Sequence, residues 1–449
     1  MTLFSSALPI LDVDVVIVGG GIQGLWLLAD LIDAGYQTIL LERQRPGFGQ
    51  TGHAHVFLHE GHLYASMLRE QQNDAVQRVM PLLTANGLWE TALAGGRLQK
   101  AKALRSEFFI GWSNVVSGLE FANRCALANL HCDRIDQMPG KFGAWANLPS
   151  LYQSKGVCLE SSVLLDQLLT FSDIRKRVGC CHKISVEANE LGSYDFLAEH
   201  DSELAEKNTR TLSLQVRARA VVLSAGTGNE HLIDHLFEGP TRQPNPKATK
   251  QQTVKTFMLV VRHLNGSLPP VTGMFPDFGG IFMVSREDAQ GRTVWLIGDR
   301  QRQLVTVPGE MTTLDAITWF QNLKKALATL LPQLIDDPNN YEWGIYEAIK
   351  AEPWRDKSGA GAGGGFPVGF HVHEHPLKPV WLAWPGLLTF APLVASSIVT
   401  GLQQKVVSSS STDWDLWERF RFTLPAGECR WKKTPLQTWK DFNTCFSQS

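Results

Sequence analysis

Residues 15–18, Val-Val-Ile-Val, form a short unbroken apolar run, the pattern of a strand buried on both faces of a parallel sheet. Gly19, Gly21 and Gly24 follow at G-x-G-x-x-G spacing. The next segment is nearly all apolar (Ile22, Leu25, Trp26, Leu27, Leu28, Leu31, Ile32), with Gln23, Asp30 and Asp33 on one narrow stripe. That periodicity predicts a helix lying mostly buried, capped at its end by Gly35. A second apolar run then closes on Glu42. Strand, glycine turn, helix and strand-terminal acid together predict a βαβ unit that holds an adenine dinucleotide. The three glycines serve a tight turn, close approach of backbone to pyrophosphate, and helix packing. Glu42 is placed to accept hydrogen bonds from a ribose.

Helical spacing continues over 63–86 through Met67, Leu68, Val76, Val79, Met80 and Leu83, ending near Gly87. A strand at 107–110 and helices at 118–130 and 162–169 come next, then a strand over 178–186 and a hairpin of 193–198 with 211–216. Ala220-Val-Val-Leu-Ser-Ala225-Gly226-Thr-Gly228 is a second buried strand running into small residues, which let backbone approach a ligand. From 253 onward the pattern changes to alternation, with strands at 254–262, 280–284 and 294–298 and turn residues between them. This predicts an antiparallel sheet with one face on a core. A helix over 314–331 precedes Pro332. The glycine-rich run 359–365 reads as a mobile loop. It lacks the Lys-Ser/Thr of a phosphate-gripping loop. A strand at 381–384 then turns through Pro385-Gly386-Leu-Leu-Thr389-Phe390-Ala391-Pro392 into a helix over 393–402, where Pro392 suits a first turn. Residues 408–412 read as a linker. The Trp-, Arg- and Lys-rich tail beyond reads as an added packing element or an interaction surface.

With 449 residues the chain exceeds one ordinary core, and two domains are expected. A net charge of −2 provides no global attraction for nucleic acid or anionic membrane. The seven cysteines show no metal-ligand spacing, so no metal and a reducing, cytoplasmic compartment are expected. No apolar run is long enough to span a bilayer, which leaves room for peripheral membrane contact.

Three motifs in this order, the glycine unit ending at Glu42, Val221-Val-Leu-Ser-Ala-Gly226, and Gly386-Leu-Leu-Thr-Phe-Ala-Pro392, resemble the D-amino-acid oxidase family of flavoproteins. Gln50-Thr-Gly-His53 with His59, Gly61 and Tyr64 is similar to the segment beneath the flavin ring in L-2-hydroxyglutarate oxidases, and glycerol-3-phosphate dehydrogenases also carry the later His-x-Gly. The resemblance implies an α/β fold with a discontinuous Rossmann-like FAD-binding domain (12–87, 150–235 and 340–405). It adds an α+β substrate domain on an antiparallel sheet (88–149 and 236–339) and a tail at 406–449. It implies FAD held by Gly19, Gly21, Ile22, Gln23, Gly24, Glu42, Arg43, Thr51, Gly52, Ala225, Gly226, Thr389, Phe390 and Ala391. This chain departs from the pattern at Ala54-His55-Val56, where Val56 replaces a glycine close to the flavin. It also has Tyr346-Glu-Ala-Ile-Lys350-Ala-Glu-Pro353 in place of the usual Arg-Pro.

The expected reaction removes a hydride from the hydroxyl- or amino-bearing carbon of a small anionic substrate, with oxygen or a quinone as electron acceptor. A proton acceptor that titrates near neutrality suits histidine. His53, His55, His59 and His62 cluster within one segment, and His59, then His53, rank first as catalytic because both coincide with the family pattern. Arg262, Arg286, Arg300 and Lys350 are candidates for an anion clamp. An FAD-binding protein without turnover and an NAD-dependent dehydrogenase are the alternatives.

Overall fold

The computed structural model describes residues 8–58, 60–62, 72–101, 103–136, 148–171, 173–188, 193–202, 210–236, 251–299, 303–304, 313–353, 372–384, 386–409 and 411–446. Strand Ile10–Val18 lies inside the first sheet, parallel to Arg210–Leu223 on one side and Thr38–Glu42 on the other. Val380–Ala383 extends the parallel set beyond Arg210–Leu223, and Val178–Cys180 extends it beyond Thr38–Glu42. Val15 and Ile17 enter a core with Leu25 and Leu28 of helix Ile22–Asp33 and with Val394 and Ile398 of helix Ala391–Lys405. Val16 and Val18 enter a second core on the opposite face, with Phe196, Val216 and Trp417. The unbroken apolar run has this cause, because both faces of the strand are covered. The carboxyl ends of the parallel strands converge on one edge, and the ligand crevice of an open α/β sheet lies there.

The second sheet is almost wholly antiparallel, and its longest pairing runs from Gln251 opposite Pro353 to His263 opposite Tyr341. One face packs on helix Thr313–Leu330 through Trp319, Phe320, Leu323 and Leu327. The other face carries Met258, Val260, Leu296, Tyr346 and Ala348. Strands Ser150–Leu159 and Tyr341–Pro353 both belong to this sheet, although the sequence assigns their segments to the cofactor-binding layer. Their alternating patterns suit either sheet, and long-range pairing decides between them.

Element ends also shift. Helix Gln72–Ala94 continues past Gly87 because Leu82, Ala85, Trp89 and Ala92 keep one buried face, with the Trp89 ring 4.7 Å from that of Trp26. The strand expected over 178–186 is two strands, Val178–Cys180 and Lys183–Ala188. The hairpin partners are Tyr194–Ser202 and Arg210–Leu223. The glycine-rich run 359–365 lies outside the described residues.

The tail is a packing element that touches both sheets. Its start is tied to Asp14, a fully buried carboxylate that accepts from Ser409 N (3.0 Å) and Gln37 N (2.9 Å), with Arg219 at 3.6 Å. Helix Trp414–Phe420 buries Trp417, whose Nε1 donates to Lys176 O at 2.7 Å. A Cβ on Gly179 would stand 2.6 Å from the Trp417 ring, so ring and strand are in close contact. Farther on, Gln437–Thr438 pairs with the edge of strand Tyr341–Pro353, and Phe442 joins the core of the second sheet. Replacing Trp417 by Ala leaves a cavity between tail and sheet and should cost about 3–5 kcal/mol. Urea unfolding followed by circular dichroism should show the lowered midpoint.

Candidate dinucleotide cleft

A cleft of about 560 Å³ opens at the carboxyl edge of the first sheet. Its floor is the glycine turn. Gly19 has φ +113°, and a Cβ there would stand 2.5 Å from Ser224 O. A Cβ on Gly24 would stand 2.0 Å from Gly19 O, so the first helix sits directly against the turn. Glycine is required at both positions, at the first by conformation and at both by contact. Ser224 Oγ donates to Gly19 O (3.0 Å) and Val18 O (3.2 Å), which fastens the second small-residue turn to the first. Asn229, fully buried, accepts from Ala225 N at 2.7 Å and holds that turn open.

Glu42 stands at the end of strand Thr38–Glu42, beside the turn. Its carboxylate accepts from Gly20 N (2.6 Å) and Gln44 N (2.9 Å). Burial nevertheless pushes its pKa above the ordinary carboxylate range, with those N–H groups and Arg43 partly opposing the shift. Thr51 Oγ1 accepts from Ile22 N at 3.1 Å and satisfies one of the free donors at the start of the first helix. Gln23 Nε2 donates to Trp384 O at 3.1 Å, joining that helix to the last parallel strand.

Of the residues assigned to the cofactor by sequence, Gly19, Gly21, Ile22, Gln23, Glu42, Arg43, Thr51, Ala225 and Gly226 line the cleft, as does His53. Gly24 and Gly52 lie behind the lining, where they allow close backbone contacts with Gly19 O and Gly47 O. Thr389, Phe390 and Ala391 are buried in the core beneath it, and Trp89 Nε1 donates to Thr389 O at 2.9 Å. The preceding residues, Gly386, Leu387 and Leu388, reach the cleft instead. The tight turn Leu388–Phe390 carries the later side chains inward. Sequence reading missed Gly47, Phe48 and Gly49, His182 to Ile184, and His231 and Leu232. Gly47 and Gly49, small residues directly before Gln50, were the only local signal among these.

His53 and His55 stand where the two sheets meet. Tyr346 OH donates to His53 O at 3.4 Å. The His53 Nδ1 and His55 Nε2 atoms are buried and have no partner among the described residues. Burial and the nearby Arg430 push the His53 pKa down to about 4. Burial, with Lys350 and Arg286 close by, holds His55 well below the usual histidine range. The His55 ring meets Phe282 edge-on at 4.9 Å, and its carbonyl accepts from Arg286. His62 faces elsewhere, its Nε2 2.9 Å from His131 O and 3.1 Å from Ser154 Oγ. His59 and Arg300 lie outside the described residues. Arg262 is committed to Glu342 (2.6 Å) and Asp288 (3.2 Å), and Lys350 lies on strand Tyr341–Pro353. Among the described residues no group of three His, Cys, Asp or Glu is arranged to hold a metal, and no helix is long and apolar enough to cross a membrane.

A parallel sheet whose first turn is GxGxxG, with a carboxylate at the next strand's end and a second small-residue turn fastened to it, defines an adenine-dinucleotide-binding oxidoreductase fold. Residues 14–105 match the family profile described as DAO, FAD dependent oxidoreductase. The chain is similar to the probable FAD-dependent oxidoreductase PA4991 of Pseudomonas aeruginosa, with 27% identity over 358 residues, covering 76% of this chain and 81% of that protein. The crystal structure of PA4991 superposes with a TM-score of 0.62 at 20% identity, over 95% of this chain and 99% of the other. Glycine oxidase from Geobacillus kaustophilus gives 0.61 at 15% identity, over 91% and 98%. L-alpha-glycerophosphate oxidase from Mycoplasma pneumoniae, with FAD bound, gives 0.61 at 15%, over 92% and 99%. Over residues 14–105 the chain matches the FAD-dependent oxidoreductase domain of this family, and its cofactor is FAD.

The glycine cradle at the start of the first helix, with no side chain to block close approach, suits a pyrophosphate, so the residues present fit FAD. Gly24→Ala drives a methyl group into Gly19 O and lifts the helix off the turn. Retention of FAD should fall at least about tenfold, equivalent to roughly 1.4 kcal/mol. The ratio of flavin to protein absorbance after gel filtration measures it, with circular dichroism as the check on folding.

Proposed function

We propose that this FAD-dependent oxidoreductase takes a hydride from the hydroxyl- or amino-bearing carbon of a small anionic substrate held between the cleft and the inner face of the second sheet. Arg286 is the observation that carries the reading. It is 4% exposed, bonds only to the carbonyls of Ser285 and His55, and pairs with no carboxylate among the described residues. A buried guanidinium without a counter-ion is costly, and an anionic substrate would supply one. Arg262, by contrast, already has two carboxylates, which removes it from the candidates.

FAD, when bound, supplies a two-electron acceptor for the hydride. Glu42 would accept from the adenosine ribose, and the two glycine turns would hold the pyrophosphate. Arg286 orients the substrate by its anionic group, beside the Tyr346 hydroxyl and the His53–His55 segment. His53 stays neutral at physiological pH because its pKa lies near 4. It therefore has a lone pair free to take the proton that leaves the substrate's oxygen or nitrogen. His59 remains a candidate on the same segment. Oxygen or a quinone is the proposed final acceptor.

Substrate class is tested by anaerobic bleaching of the flavin with 2-hydroxy acids, amino acids and polyol phosphates. Members of one anionic class should bleach it. Silence across the whole panel would favour a flavin-binding protein without turnover. Arg286→Met should lower kcat/KM for the active substrate about 10- to 150-fold, the loss of one charge-assisted pair of roughly 1.5–3 kcal/mol, with FAD content unchanged. An unchanged kcat/KM would reject Arg286 as the clamp.

The pH dependence has a definite sign. A histidine base is active when unprotonated, and His53 gains its proton only as pH falls through about 4. Substrate-driven flavin reduction should therefore stay level on acidification through the ordinary histidine range near pH 6.5 and fall only at about pH 4. Stopped-flow reduction across that range measures it. His53→Asn should slow the step about 10²- to 10⁴-fold.

A further inference from the structure

Away from the cleft, helix Val115–Leu127 ends in a fold-back that brings two cysteines together. Ala128 N donates to Arg124 O (3.0 Å), and Leu130 N donates to Cys125 O (2.8 Å). Asn129 takes the left-handed conformation, φ 55°, that such a helix end requires. The reversal buries Leu130 and returns the chain beneath its own helix, so that Cys132 packs against the core containing Cys125 and Phe121. Cys125 is fully buried in this core, and Cys132, packed against it from the returning chain, is partly open to solvent.

We propose that Cys125 and Cys132 are a redox modification site, oxidised by hydrogen peroxide to a reversible disulfide. Two features of the pair set the roles. The neighbouring Cys125 thiol favours a thiolate on Cys132 and lowers its pKa, against the opposing effects of burial and Asp133. Cys125 is the protonated, buried partner, its pKa raised by Cys132 and by burial, at the same core against which Cys132 packs.

The chemistry balances with peroxide as the only oxidant. The Cys132 thiolate attacks one peroxide oxygen, the O–O bond breaks, and hydroxide leaves and takes a proton as water. Cys132 is now a sulfenic acid. The Cys125 sulfur then attacks the Cys132 sulfur, the S–S bond forms, the S–O bond breaks, and the Cys125 proton leaves with the hydroxyl as a second water. Two thiols lose two electrons, and one peroxide becomes two waters. The loop that closes runs only from Ala126 to His131 and is already folded back.

The site is linked to the region of the histidine segment. His131, next to Cys132, accepts with its carbonyl from Ser154 Oγ (3.0 Å) and lies 2.9 Å from His62 Nε2. Cys445, exposed and alone, is the internal control for ordinary surface oxidation.

Tryptic cleavage after Arg124 and Arg134 puts both cysteines in one peptide, 125–134. The full-length protein is treated with hydrogen peroxide, blocked with N-ethylmaleimide and mapped by mass spectrometry. The expected result is a peptide 125–134 lighter by two hydrogens and carrying no maleimide, restored to two maleimides when dithiothreitol precedes blocking. In Cys125→Ser the Cys132 sulfenic acid should persist and be trapped by dimedone. In Cys132→Ser, Cys125 should keep its full maleimide label. Two maleimides on peptide 125–134 after peroxide, at doses that oxidise Cys445, would overturn the proposal. So would sulfinic acid at Cys132 beside a labelled Cys125 in the parent protein.

Discussion

The distance between Gly24 and the carbonyl of Gly19 governs the architecture of the cofactor half. At 2.0 Å from that oxygen there is no room for a Cβ, so the first helix rests on the turn with backbone against backbone. The start of the helix is thereby held at the carboxyl edge of the sheet, where the helix dipole favours negative charge. The other contacts build on this one. Thr51 occupies one of the free donors, Gln23 reaches the last parallel strand, and Ser224 ties the second turn to the first. Glu42 then falls beside Gly20 by the register of a single strand.

Much of this half was legible because its signals are local. An unbroken apolar run, three glycines and a strand-end acid lie within one stretch of chain, and each has a conformational reason. The cleft's other walls carry no such signal. His182 to Ile184 and His231 to Leu232 reach it through sheet topology. The second sheet was legible as alternation, yet its membership was not, since Ser150–Leu159 and Tyr341–Pro353 alternate in a way that fits either sheet. The turn at Gly386 was found, but the residues that line the cleft precede Thr389, because the turn buries the side chains beyond it.

The arginines show the same limit at the level of one side chain. Arg262 and Arg286 both sit on alternating strands and look equivalent in sequence. Pairing places Arg262 opposite Glu342 and leaves Arg286 opposite Val294. One arginine becomes a satisfied ion pair, and the other a buried charge that only something else can neutralise. No window of sequence contains that distinction, which arises from which strands are neighbours.

Val56 is where local preference and tertiary structure conflict. A β-branched residue at φ 47° is a genuine outlier, with a cost of about 1–3 kcal/mol. The side chain is 3% exposed, and its burial in the first core offsets a comparable amount, about 1.5–3 kcal/mol. Its carbonyl accepts from Leu159 N at 2.9 Å, which holds the bend from the second sheet. A glycine would adopt this bend without strain but would contribute no side chain to the core, so valine keeps the segment both bent and anchored. The bend sends the His55 ring against Phe282 and its carbonyl toward Arg286. Val56 thus acts on the same segment that presents His53 to the cleft. It fixes that segment by packing where a glycine would leave it to backbone freedom alone.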